Sequence, residues 1–247
     1  MYPPYDTADA GRPVTLDRRE GPYGEVVLRR RGGGGTGPAG GPAAPAPVFE
    51  IIANGCFLMD TSDGRSERLL IRAALDALPA GRSAPALLIG GLGVGFSLAE
   101  AAAEPRWGRI AVVEREEAVV DWHRSGPLGR ISAAALADPR TEVIRADLVA
   151  CLRAGEGAAP YDALCLDIDN GPDWTVTEDN GGLYSPAGLA ACRARLTPGG
   201  VLAVWSAQPS SAFEEALRNA GFVGVRTEEI SVARGVPDVV HLAVRGA

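Results

Sequence analysis

"LLIGGLGVGF", residues 87–96, runs a short apolar segment directly into a glycine-rich turn, and "FSLAEAAAE", residues 96–104, continues as an apolar helix. Strand, glycine turn and helix in that order are the opening unit of a parallel α/β sheet. Gly90, Gly91, Gly93 and Gly95 allow close backbone approach, and the helix start offers N–H groups to an anionic or polar ligand. Tight strand-to-helix turns also use glycine for geometry alone, so the turn needs support from the rest of the chain.

Downstream, strand and helix signals alternate to the end. Strands are expected at "RIAVVE" (109–114), "TEVIRA" (141–146), "YDALCLDI" (161–168) and "GVLAVWSA" (200–207), with "VGVRTEEISV" (223–232) and "VVHLAVRG" (239–246) as a closing pair. Helices are expected around 66–78, 95–104, 115–124, 147–154, 186–196 and 210–220. This alternation predicts a mostly parallel sheet covered by helices on both faces, with a ligand crevice at the carboxyl ends of its strands.

Upstream, "GEVVLRR" (24–30) reads as a strand, and "VFEIIANGCFLMDTSDG" (48–64) reads as two strands turning at Asn54-Gly55. Between them, "GGGGTGPAGGPAAPAP" (32–47) is expected to be a mobile loop, since it has no side chain of any size to bury. The expected organisation is a small antiparallel β unit over 1–63 and a sheet domain over 64–247.

The 247 residues are 46% hydrophobic, enough for a core without staples. A net charge of -7 argues against nucleic acid as a partner and favours cationic ligands. Cys56, Cys151, Cys165 and Cys192 form no CxxC pair, so the expectation is a reduced, cytoplasmic protein with no metal site. No apolar stretch long enough for a membrane span and no signal-type N-terminus are present, so no membrane association is expected.

Candidate site residues lie at the strand ends. Glu114 closes the second strand about 20 residues beyond the glycines, where an acid can hold a ribose hydroxyl pair. Asp147, after the third strand, can reach an adenine amino group or cap the next helix. The fourth strand ends in "LCLDIDNGPDWTVTEDNGGLYS", which carries Asp167, Asp169, Asp173, Glu178 and Asp179 beside Trp174 and Tyr184. That loop reads as a pocket for a cationic acceptor, with Asp167 orienting an amine and accepting its proton. Asp169 and Tyr184 complete the catalytic candidates, and Asn170, Asp173 and Trp174 are the substrate candidates. His123 and His241 lack ligand spacing and read as structural.

As an ordered set, "LLIGGLGVG", "VVERE", "DPRTEVIRAD", "YDALCLDIDNGP" and "LTPGGVLAVWS" resemble the spermidine synthase (polyamine aminopropyltransferase) family. That family lies within the Rossmann-like, class I methyltransferase-type proteins that bind S-adenosylmethionine. The resemblance implies that Glu114 holds the ribose, that Asp147 and Leu148 surround the adenine, and that Asp167 faces the acceptor amine. Together with the N-terminal β unit it is consistent with a homodimer.

The chain departs from the family where Gly93 stands in place of the aspartate that binds the amine of decarboxylated S-adenosylmethionine, and where Asn170 replaces the second acid of the family's paired aspartates unless Asp169 shifts into its role. Glu67, in "SDGRSERLL", is the match left for the acids before the first helix. A turn without a carboxylate suits a cofactor that keeps its own. The leading expectation is therefore methyl (alkyl) transfer from intact S-adenosylmethionine to a small, amine-bearing acceptor. The alternative is aminopropyl transfer from the decarboxylated cofactor, and a nucleoside-binding protein without turnover or a cyclase on the same scaffold is a further one.

Overall fold

The computed structural model describes residues 12–32, 46–153, 159–168, 170–173, 180–230 and 236–247. Its contacts divide the chain into two compact units, one ending at Asp63 and one beginning at Gly64.

The first unit is an antiparallel four-stranded sheet in sequence order: β1 (Val14–Gly21), β2 (Gly24–Arg31), β3 (Val48–Ala53) and β4 (Cys56–Asp60). Asn54 and Gly55 both take positive φ, as a two-residue hairpin turn requires, and Ala53 faces Cys56 across it. The Asn54 side chain then accepts from Glu25 N at 3.0 Å and donates to the Tyr23 carbonyl at 3.2 Å, pinning the neighbouring hairpin. Glu50 is 4% exposed and pairs with Arg29 (2.6 Å) and Arg31 (2.7 Å), which offsets the cost of burying it. β1 was not among the expected strands. Its outward alternation of arginines and acids, "LDRRE", gives little apolar signal for a half-exposed edge strand.

The second unit is a seven-stranded sheet in the order β10-β11-β9-β8-β5-β6-β7. β5 (Ala86–Gly90), β6 (Arg109–Glu114), β7 (Thr141–Arg145), β8 (Tyr161–Leu166) and β9 (Leu196–Ser206) are parallel, whereas β10 (Phe222–Ile230) and β11 (Asp238–Arg245) close one edge antiparallel. The central strands read as nearly continuous apolar runs because helices cover both of their faces.

The helices are α1 (Arg65–Asp76), α2 (Phe96–Ala103), α3 (Glu117–Arg124), α4 (Gly129–Leu136), α5 (Leu148–Arg153), α6 (Gly181–Tyr184), α7 (Pro186–Arg195) and α8 (Ser211–Asn219). Ser185 caps α7 by accepting from Gly188 N at 3.1 Å with Pro186 in the first turn, and Ser210 caps α8 in the same way through Phe213 N. No helix among the described residues is long and apolar enough to cross a membrane.

Three differences from the sequence expectation have local causes. α4 follows the turn-forming "SGPLG" without a side-chain cap, so nothing announces its start. β9 begins at Leu196 rather than at 200, because a register shift between Tyr161 and Ala163 and a positive φ at Gly199 carry "TPGG" within the strand. β8 ends at Leu166, which leaves Asp167 as the first residue beyond the strand.

Candidate active site

β5, β6 and β8 meet at the glycine turn. Gly91 N donates to the Val113 carbonyl (2.9 Å) and Asp167 N donates to the Gly90 carbonyl (3.0 Å), so the turn is sewn to the ends of both neighbouring strands. A β-carbon at Gly91, whose φ is 93°, would come within 2.5 Å of the Asp167 carbonyl oxygen. One at Gly90 would press into the Leu148 side chain at 2.6 Å. Gly95, at φ 97° just before α2, leaves room for the His123 ring, which would lie 2.8 Å from an added β-carbon. Gly93 also takes a positive φ, and its carbonyl lies 2.8 Å from His123 Nε2.

Glu114 is 8% exposed at the end of β6. One carboxylate oxygen accepts from Leu92 N (3.0 Å) and the other from Glu116 N (2.8 Å). Burial pushes its pKa up, and those two backbone hydrogen bonds oppose the shift. Each oxygen keeps a second lone pair, so a ribose diol remains within its chemistry. Asp147 accepts from Ala150 N at 2.8 Å and thereby caps α5, while Leu148 packs against the Gly90 turn.

Asp167 stands at the centre of an acidic group. Burial, followed by the charge of Glu67, pushes its pKa up to about 8; Ser97 Oγ, donating at 3.3 Å, pulls it down, and Asp238 adds to the rise. Asp238 accepts from Ser66 Oγ at 2.7 Å. Because β11 runs antiparallel to β9, its first residue arrives at the carboxyl ends of the parallel strands, where Val239 faces Ser206. Glu67 of α1 and Asp238 of β11 thus both bear on Asp167 at the β8 end, an arrangement that a cation relieves.

An aromatic cluster lies beside the segment that follows β8. Tyr184 and Phe213 meet edge to face at 5.6 Å, Phe213 and His241 at 5.3 Å, and Tyr184 Oη donates to the Ile168 carbonyl at 3.4 Å. The Asn170 carbonyl accepts from Ala207 N (3.1 Å), and Gly171 lies so close to Ser206 that a β-carbon would fall 2.4 Å from its hydroxyl. Asp173 is exposed and raises the pKa of His241, which burial lowers more strongly.

Of the residues singled out in the sequence, the structure brings Gly90, Gly91, Gly93, Gly95, Glu114, Leu148 and Asp167 together around one turn. Asn170, Asp173 and Tyr184 lie along the segment that follows β8. Asp169 and Trp174, with Glu178 and Asp179, fall outside the described residues. Asp238, Ser66 and Ser97 were not foreseen, since only the antiparallel insertion of β11 carries Asp238 to this end of the sheet.

No protein-family model and no curated protein matches the sequence. Among solved structures, the chain is similar to a spermidine synthase in complex with the transition-state analogue AdoDATO, with a TM-score of 0.73 and 17% identity over 94% of this chain and 74% of that one. It is also similar to the spermidine synthase of Thermotoga maritima, with a TM-score of 0.70 and 16% identity over 94% and 73% of the two chains. The chain therefore has a spermidine-synthase-like, Rossmann-like fold, preceded in sequence by an antiparallel β unit.

Proposed function

We propose that the protein is an alkyl transferase of the aminopropyltransferase kind, joining the aminopropyl group of decarboxylated S-adenosylmethionine to a small amine. The observation that carries this reading is the Asp167, Glu67 and Asp238 group beside the glycine turn, which calls for positive charge. It bears directly on the substitution at Gly93. On this reading the carboxylates from α1 and β11, rather than the turn, hold the ammonium. The similarity to a spermidine synthase that binds AdoDATO supports the same direction.

The sulfonium nucleoside supplies the electrophilic carbon and a thioether leaving group. The chain's own residues do the rest: the glycines and Glu114 receive the nucleoside, and Leu148 closes over the turn. Asp167, whose carboxyl holds a proton at neutral pH, becomes a carboxylate once an ammonium sits beside it. It is then placed to take a proton from that ammonium, and the neutral amine so formed attacks the carbon as its bond to sulfur breaks and the thioether leaves. Tyr184 and Phe213 supply an apolar wall for a methylene chain.

Methyl transfer from intact S-adenosylmethionine is the second reading, favoured by the absence of a carboxylate at Gly93. Calorimetric titration of the two cofactors separates them. Tighter binding of the decarboxylated form, with methylthioadenosine released in the presence of a diamine, is the expected result. Tighter binding of the intact form, with no methylthioadenosine, would replace this reading by methylation.

A further inference from the structure

His123 occupies a position that its sequence context does not announce. It ends the buried face of α3, and its ring is enclosed between the glycine turn and α4, leaving the residue 2% exposed. Room for it is made on two sides by glycine. A β-carbon at Gly95 would approach the ring to 2.8 Å, and one at Gly129, the first residue of α4, would lie 2.8 Å from the His123 carbonyl. The Leu128 N–H donates to the Trp122 carbonyl at 3.1 Å and folds α4 back onto α3.

The two ring nitrogens have different partners, and these decide the tautomer. Nε2 lies 2.8 Å from the Gly93 carbonyl, which can only accept, so Nε2 carries the proton. Nδ1 then offers a lone pair to the Ser132 hydroxyl at 2.6 Å. Burial lowers the imidazole pKa, opposed by the Gly93 and Leu128 carbonyls, so a neutral ring is the resting form.

The turn is consequently held from both sides. Glu114 takes the Leu92 N–H, and one residue later His123 donates to the Gly93 carbonyl. Position 93 has no side chain, so it can act on a ligand only through its backbone, and the imidazole fixes that backbone.

We propose that His123 is a positioning residue for the nucleoside site, holding the Gly93 peptide in the orientation that receives the ligand. This rests on the reading of the glycine turn as a sulfonium-nucleoside site. His123 itself does not touch the ligand.

The chain has only two histidines, so each can be followed separately in the full-length protein labelled with 15N-histidine. Long-range 1H–15N correlation is expected to show His123 as the Nε2–H tautomer. Methylthioadenosine, the nucleoside probe, should shift its resonances while leaving those of His241 in place.

His123→Leu should weaken methylthioadenosine binding about tenfold, the scale of one buried hydrogen bond lost with its carbonyl left unpaired. His123→Gln, whose amide can reach the same carbonyl, should recover most of that. Ser132→Ala, which removes the donor to Nδ1 while keeping the ring, should loosen the tautomer even if His123→Leu fails to fold.

Trp107→Phe, at a buried tryptophan before β6, serves as the stability control. It should lower the melting temperature without changing the affinity. An Nδ1–H tautomer, wild-type affinity in His123→Leu, or affinity lost by Trp107→Phe in proportion to its melting temperature would each overturn the proposal. Failure of the wild-type protein to bind methylthioadenosine would instead remove the functional reading beneath it, and the positioning role with it.

Discussion

Ser66 Oγ donates a 2.7 Å hydrogen bond to Asp238, tying the first turn of α1 to the first residue of β11 across 172 positions of sequence. The charge of Asp238 in turn raises the pKa of Asp167. Asp238→Asn should therefore lower the Asp167 pKa, as read by 13C titration of the aspartate carboxyl. It should also weaken diamine binding about tenfold by removing one of the three acids. Unchanged diamine affinity would take Asp238 out of the site.

Asp167 gives the active site a pH dependence of definite sign. Its folded pKa of about 8 lies above the ordinary 3.8, so the folded state holds a proton that the unfolded chain releases. Its contribution to stability is complete below the unfolded value and is lost as pH rises through about 8. Asp167→Asn should therefore flatten the fall in melting temperature between pH 7 and pH 9.

Binding of a diamine should expel the same proton. Calorimetry in buffers of different ionisation enthalpy should show proton release at pH 7 in the wild type and none from this source in Asp167→Asn. With Asp167 as base, the variant should lose turnover by about 100-fold or more.

Much of this was legible in the sequence for a simple reason. The parallel strands are apolar runs flanked by glycine and acids, and a residue next to a strand end, such as Glu114 or Asp167, is placed by its neighbours along the chain. Asp238 was not legible, because "PDVVHL" gives the strand but not its direction or its place beside β9. The same applies to His123. The helix pattern identifies its buried face, but contact with the Gly93 carbonyl depends on how α3 and α4 pack beneath the turn. Asp147 carried two readings at once, and its cap on Ala150 N is the one that local geometry alone determines.

The glycine turn should tolerate little change. In Gly91→Ala, a methyl group would meet the Asp167 carbonyl at 2.5 Å on a backbone already at φ 93°. Neither the strand end nor the carbonyl can retreat without breaking the Asp167 N–H bond to Gly90. A loss of about 2–4 kcal/mol of stability is expected from strain and overpacking together. Gly55→Ala, in the exposed hairpin turn with nothing near its β-carbon position, should cost about 1 kcal/mol from its positive φ alone. Urea melts of the two variants would test the difference, and equal losses would mean that the close approach at Gly91 is not what requires glycine there.

Both histidines give stability an acid-side dependence of the opposite sign to that of Asp167. Burial lowers each pKa from 6.5; Gly93 and Leu128 oppose the shift at His123, and Glu214 and Asp173 oppose it at His241. The unfolded chain gains protons as pH falls below about 6.5 while the folded imidazoles stay neutral, so stability present above that value is lost toward the folded pKa values.

At His241 the reason for the neutral ring is visible in its partners. Thr227 donates to the Glu214 carboxylate at 2.5 Å, so facing the imidazole at 2.8 Å it can only accept from Nδ1–H. Nε2 is left buried with a bare lone pair and no partner among the described residues. His241→Gln should reduce the loss of urea-midpoint stability between pH 7 and pH 5.5, and Thr227→Val should release the Nδ1–H tautomer in 15N spectra. A wild-type pH slope in His241→Gln would mean that the ring is protonated in the fold, with Glu214 and Asp173 outweighing its burial.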